Sequence, residues 1–215
     1  MKELTELYEE LDREIAQFKI TAELDCIKFC HKCCATEGGK IEVSAFECLP
    51  LSIHLWQTEK AEIYLQKIGE ANIKDPCVLY NVDRPRPDEW GCKYYPRRPL
   101  ICRLFGFSAI LDKRGEPKIA LCRPIKEADP EAEKRINQRI AQGLKAPVLS
   151  HLARKASFLN PNLGQRRYPI NQGLKIALER LGFQYDLIKN RKGSKDSPLG
   201  NRNDYGSAPL NREDP

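Results

Sequence analysis

The sequence predicts a mainly α fold with irregular cysteine-rich loops and one short β-hairpin. Three observations carry this. Apolar residues recur at helical spacing early and late in the chain, residues 73–103 show no period, and two short β-type runs flank a glycine turn between them.

The first predicted helix covers residues 2–18, where Leu4, Leu7, Leu11, Ile15 and Phe18 form the stripe an amphipathic helix buries. A cysteine-rich run follows and ends at Gly38 and Gly39, a turn signal. Ser44 and Glu47 have capping-box spacing, so a second helix is expected to start there and run to Ile68, with Pro50 tolerated in its first turns. Residues 73–103, rich in Pro, Arg, Tyr and Cys, read as irregular chain. Residues 105–111 and 118–121 read as strands joined by DKRGEP, with Gly115 as the turn residue. Beyond Cys122 come helical patterns at 131–144, 147–158 and 171–181, expected to pack on the preceding part. The segment from Asn190 onward is poor in apolar residues and is expected to be disordered. The chain thus divides into an N-terminal helix (1–25), a cysteine-rich domain (26–125), a helical part packed on it (126–189) and a tail (190–215).

Composition narrows the function. At 215 residues, the chain can bury a real core. It has no apolar stretch of about 18 residues, so no membrane span is expected. The start, MKELTELYEELDREI, lacks the basic and apolar blocks of a secretion signal, which predicts a soluble cytoplasmic protein. The formal charge of +6 reads as a solvated surface, because no RNA-binding aromatic signature accompanies it and nucleic acid is not expected as a partner. There is no G-x-S-x-G, H-E-x-x-H, glycine-rich phosphate loop or paired-carboxylate signature, which argues against a hydrolase of those kinds.

The nine cysteines are the strongest signal, and all fall between residues 26 and 122. An odd number without a secretion signal argues against a disulfide scaffold and for metal ligation or redox chemistry. Only three histidines are present, so any metal site is mostly thiolate. In the first cluster, Cys26-x3-Cys30-x2-Cys33-Cys34, the two-residue spacing lets Cys30 and Cys33 converge on one ion. Side chains of adjacent residues diverge in most backbone conformations, so Cys33 and Cys34 point to two metals or one multinuclear cluster. Cys77, Cys92, Cys102 and Cys122 follow at uneven spacings, flanked by Pro76, Gly91, Arg103 and Pro124. Small and rigid neighbours let backbone amides reach a thiolate sulfur. Arg98, Arg103 and Arg123 either offset thiolate charge or are surface residues.

The runs CIKFCHKCC, DPCVLY and GCKYYPRRPLICRLFGF, followed by a cysteine after a hairpin, resemble the CxxCxxCC cysteine-cluster family over residues 26–124. Arg98-Pro99-Leu100-Ile101-Cys102-Arg103 is similar to the family's RPxxCR signature, downstream of Cys92-Lys93-Tyr94-Tyr95. The resemblance implies metal binding, of zinc or iron, within the small α+β domain read above; members are often labelled Fe–S cluster oxidoreductases. It also implies eight ligands: Cys26, Cys30, Cys33, Cys34, Cys77, Cys92, Cys102 and Cys122. Cys48, on the capped helix, is the expected non-ligand. One departure is visible: Cys26 and Cys30 are separated by three residues where the family has two.

Two readings follow. Irregular spacing and adjacent cysteines favour an iron–sulfur cluster, [4Fe–4S] with four cysteines, in a redox or support role toward an electron-transfer or other protein partner. The alternative is two structural zinc ions in an interaction module without catalysis. His31 reads as a loop histidine, and His54 and His151 as surface or packing residues on helices. Tyr94, Tyr95, Phe105, Phe107, Trp56 and Trp90 read as aromatic packing.

Overall fold

In the computed structural model, helix α1 (Lys2–Ala22) buries Leu4, Leu7, Leu11, Ile15 and Phe18. Each such side chain taken from water contributes roughly 1.5–3 kcal/mol. The helix runs four residues beyond the expected end and stops at Glu23, whose positive φ of 51° turns the chain away; the Leu24 N–H then donates to the Lys19 carbonyl. The structure describes residues 2–27, 29–82 and 91–193, with side chains only to 184. Trp90 and the tail from residue 194 lie outside them.

After the cysteine loop, strand β1 (Glu42–Ser44) leads into helix α2 (Ala45–Gln57). Ser44 is its N-cap: its hydroxyl accepts from the Glu47 N–H at 3.3 Å, and Pro50 sits within the helix as expected. The predicted run to Ile68 does not occur as one helix. The Thr58 hydroxyl donates to the His54 carbonyl at 2.8 Å, and Glu59 takes a φ of 57°. The Lys60 N–H then closes on the Leu55 carbonyl, so the chain restarts as α3 (Ala61–Glu70). Local side-chain and left-handed backbone closure ends α2 where apolar periodicity alone would continue it.

The described residues of this stretch, 73–82 and 91–103, are irregular as expected except at their end, where a 3-10 turn (Tyr95–Arg97) precedes the short helix α4 (Leu100–Leu104). The hairpin forms from β2 (Ser108–Leu111) and β3 (Pro117–Ala120), antiparallel, with Ser108 opposite Ala120. The Asp112 carboxylate accepts from the N–H groups of Arg114 and Glu116 in the turn. The later helices are α5 (Arg123–Ala128), α6 (Ala132–Ala141), α7 (Leu149–Leu159), α8 (Pro161–Gly164) and α9 (Ile170–Gly193). The last extends into the segment expected to be a tail.

A second two-stranded sheet was not legible in advance. Strand β4 (Arg167–Pro169) pairs antiparallel with β1, Val43 opposite Tyr168. Buried residues of α1, α2, α4, α6, α7 and the start of α9 share one core, which includes Leu11, Leu55, Leu104, Ile136, Ala156 and Leu178. The Trp56 indole N–H donates to the Leu178 carbonyl at 3.0 Å. Residues Met1–Gly182 form one compact unit; a second begins at Phe183, and its described part is the last turns of α9. Among the described residues, no helix is long and apolar enough to cross a membrane.

Candidate metal centre

Four segments bring the cysteines together, and the hydrogen bonds holding each are explicit. The first is the turn after α1. There the Cys30 N–H donates to the Ile27 carbonyl at 3.0 Å, and the Cys34 and Ala35 N–H groups both donate to the His31 carbonyl. Beyond it, the Gly38 and Gly39 N–H groups donate to the carbonyls of Asp75 and Ile73 at 2.8 and 2.9 Å, drawing in the second segment.

That second segment carries Cys77, and Asn171 clamps it from both sides. The Asn171 amide donates to the Pro76 carbonyl at 3.3 Å, and its carbonyl oxygen accepts from the Val78 N–H at 3.0 Å. Asn171 lies far away in sequence and matches no motif, so nothing local marks it. Cys92 is joined to the same segment by a bridge opposite Tyr80, with the Asn81 N–H on the Gly91 carbonyl and the Lys93 N–H on the Leu79 carbonyl. Gly91 is required here by close approach. A Cβ on it would stand 2.6 Å from the His31 Cβ and 2.9 Å from the His31 Cα. Gly91→Ala is therefore expected to push the Cys92 strand off the first cysteine turn and to cost about 1–3 kcal/mol of stability, measurable by denaturant unfolding of the metal-free chain.

The third segment explains the RPxxCR signature residue by residue. Arg98 lies over the Tyr95 ring, 3.3 Å from its centroid, and donates to the carbonyls of Tyr95 (2.9 Å) and Cys102 (3.0 Å). Its charge lies close enough to Cys33, Cys92 and Cys102 to favour their thiolates. Arg103 does something else. It is buried, donates to the carbonyls of Arg98 (2.8 Å) and Pro96 (2.6 Å), and pairs with Asp12 of α1 at 2.6 Å. It is a scaffold residue, neither a surface group nor a counter-ion for thiolates. Arg123 is exposed and paired with Glu127, the surface reading.

In the fourth segment Cys122 caps α5. Gly106, at φ 85°, passes close by: a Cβ there would be 3.5 Å from the Cys122 sulfur.

All nine cysteines are free thiols. Eight of them line two neighbouring cavities. One, of about 260 Å³, has Cys33, Cys34, Cys77, Cys92 and Cys102 in its wall, together with Leu79, Tyr94, Ile101 and Phe105. The other, of about 430 Å³, is bordered by Cys26, Cys30, Cys33 and Cys122, with Phe105 and Glu127. Cys48 lines neither; it is buried in the core on α2. Among the described residues no three Cys, His, Asp or Glu side chains are already gathered tightly on one point. The thiols ring spaces instead. As a donor set they are soft and nearly all sulfur, which fits zinc or an iron–sulfur cluster and does not fit a hard cation.

The electrostatics depend on burial. Desolvation pushes the Cys26 thiol up to about 11 and Cys77 to about 12, and it raises Cys102, Cys92 and Cys122 as well. The Cys33–Cys34 pair behaves differently. Its two neighbouring thiols perturb each other's protonation in opposite directions. The interaction with Cys34 holds Cys33 below the usual thiol range, and the interaction with Cys33, with burial, holds Cys34 above it.

Two of the three histidines pack against tyrosines, and the third is a surface residue. His31 stacks on Tyr80 with ring centroids 6.1 Å apart, His54 meets the edge of Tyr94 at 5.7 Å, and His151 is exposed on α7.

Residues 25–135, just over half of the chain, match the model of the CxxCxxCC family, described as a "putative zinc- or iron-chelating domain". No curated protein and no solved structure matches the chain. The matched span contains all nine cysteines and the four segments that carry the cavity-lining ones, while Asn171 lies outside it, and the protein belongs to the CxxCxxCC family.

Proposed function

We propose that the chain holds an iron–sulfur cluster of the [4Fe–4S] type through cysteine thiolates, in a redox or supporting role toward an electron-transfer or other protein partner in the cytoplasm. The candidate ligands are Cys26, Cys30, Cys33, Cys34, Cys77, Cys92, Cys102 and Cys122; one cluster takes four of them and leaves the others for a second site. What supports a cluster best is the size of the thiol-lined space. A single ion with metal–sulfur bonds of about 2.3 Å draws its sulfurs close together, whereas cavities of about 260 and 430 Å³ leave room for a body of several atoms. The mostly apolar wall of the first cavity, with Leu79, Tyr94 and Ile101, suits a group whose potential depends on limited water. Free thiols throughout suit a reducing compartment. A bound cluster would supply a one-electron couple; the chain's own residues supply ligands, the Arg98 charge and the apolar surround.

Zinc is the second reading, favoured by reach. Thiols drawn from segments between 26 and 122 would tie distant loops together, as structural zinc does. Protein purified without oxygen decides between them. Iron with equimolar acid-labile sulfide and a brown chromophore is the expected result. Colourless protein containing zinc would overturn the cluster and leave the structural module.

Burial of the thiols gives a further expected outcome. Cys26 and Cys77, held up at about 11 and 12, are protonated at pH 7 in the metal-free chain, and Cys102 is raised likewise. A ligand must be thiolate, so loading releases a proton from each. Metal affinity therefore rises with pH across the neutral range and falls on acidification. Adding zinc to metal-free protein in weak buffer with a pH indicator should register this release. An unchanged indicator, with metal bound, would mean the thiols are not the ligands.

A further inference from the structure

We infer that the eight thiols form two separate four-thiolate metal sites, one from Cys34, Cys77, Cys92 and Cys102 and the other from Cys26, Cys30, Cys33 and Cys122. This rests on the metal-binding reading above and adds the division, which neither the family match nor the spacing assigns.

The two cavities carry the argument. Seven of the thiols border only one of them: Cys34, Cys77, Cys92 and Cys102 the first, and Cys26, Cys30 and Cys122 the second. Cys33 alone lies on both, so its allotment decides the count. The first cavity already has four thiols without it, and the second has three. Cys30 and Cys33 also have the two-residue spacing that turns two sulfurs toward one ion. Given to the second cavity, Cys33 completes a set of four there. Four is the number that both a tetrahedral ion and a [4Fe–4S] cluster need.

The surrounding chain supports the same partition. Cys34 is turned toward the Cys92 segment: its Cβ lies 3.5 Å from where a Gly91 Cβ would stand. Cys122, at the start of α5, is held against Gly106 and borders only the second cavity, while Phe105 and Thr36 border both. Cys33, Thr36 and Phe105 thus mark where the two cavities meet. The first set draws on the strand-like segments around Cys77 and Cys92 and on α4, while the second draws on the end of the α1 turn and the start of α5. One site can therefore be disabled without removing any segment that carries the other, apart from the shared turn.

Cadmium tests the division because four thiolates bind it as they bind zinc, and its nucleus reports each site separately. Metal-free full-length protein titrated with ¹¹³Cd(II) should take up about two equivalents, as two four-thiolate sites require, and show two resonances in the all-sulfur range without mutual coupling. The double variants Cys77→Ser/Cys92→Ser and Cys30→Ser/Cys122→Ser should each fall to about one equivalent and lose a different resonance. Cadmium–cadmium coupling, or saturation of the wild-type chain at one equivalent, would overturn the division and leave one shared centre with Cys33 bridging or central. A wild-type chain that binds no cadmium would instead end the metal-binding reading itself. The wild-type spectrum decides alone if a double variant does not fold.

Discussion

Cys102→Ser is expected to lose about half of the bound metal and much of the stability that metal confers, while Cys48→Ala loses no metal. Cys102 sits on α4 with its carbonyl held by Arg98, and its sulfur borders the cavity shared with Cys34, Cys77 and Cys92. A serine hydroxyl stays protonated at neutral pH and is a poor soft-metal ligand, so three thiolates remain where four are needed. Changing even a residue that only orients a ligand weakens metal sites about 10–100-fold, and losing the ligand itself should exceed that. Structural zinc sites contribute roughly 10–16 kcal/mol of binding, and that free energy belongs to the folded state. The melting temperature of the loaded variant should therefore fall by well over ten degrees, where each 1 kcal/mol moves it by about 2–4 °C in a chain of this size. Cys48 is 3% exposed and faces the core, so alanine removes one buried sulfur and costs about 1 kcal/mol without touching either cavity. Alanine is used there because burial would place a serine hydroxyl in apolar surroundings and lower stability. Elemental analysis beside thermal melting checks both variants. Equal metal content in the two would end the ligand assignment.

The contrast between these two cysteines marks how far the sequence is readable. Periodicity exposes a side chain's helix, and a capping box exposes where the helix begins, so α1, α2 and the separation of Cys48 from the other thiols were all legible. What stops a helix is often a local bond such as Thr58 on the His54 carbonyl, which leaves no trace in the apolar pattern; hence one predicted helix is two. Three-residue strands such as β1 and β4 are too short for alternation to register, and they pair across more than a hundred residues. The candidate site follows the same rule. Cysteine identity was plain, and the family resemblance over 26–124 agrees with the matched residues 25–135. The division into two cavities was not plain, because it depends on how Phe105, Gly106 and the Cys33–Cys34 turn pack. Asn171 was invisible for a different reason. An asparagine on a helix is ordinary in sequence, and only the chain's return path places it against Pro76 and Val78.

Arg103→Ala should unfold the scaffold beneath the site, and Arg103→Lys should recover little of it. The guanidinium holds three partners in one plane: the Arg98 and Pro96 carbonyls and the Asp12 carboxylate. It also lies 4.5 Å from the centroid of the Tyr8 ring, and its side chain is only 7% exposed. Removing it leaves two backbone carbonyls without their donor in a part-buried position. Hydrogen bonds to a charged donor contribute about 1.5–3 kcal/mol each, so the loss from the two carbonyls is about 3–6 kcal/mol. Asp12 matters less. It is 54% exposed, water can replace its partner, and an exposed ion pair contributes about 0–1 kcal/mol. Asp12→Asn should therefore cost about 1 kcal/mol or less, although it touches the same arginine. Lysine keeps the charge but offers a single point of donation in place of a planar fork, and cannot reach the Arg98 and Pro96 carbonyls together. Because those carbonyls belong to the loop that leads into α4, the Arg103 variants should also bind metal more weakly, with all eight proposed ligands still present. Denaturant unfolding of the metal-free proteins, paired with cadmium titration, separates the two effects. If Arg103→Ala and Asp12→Asn were equally destabilising, the carbonyl clamp would contribute nothing and the salt bridge would be the whole of Arg103's role.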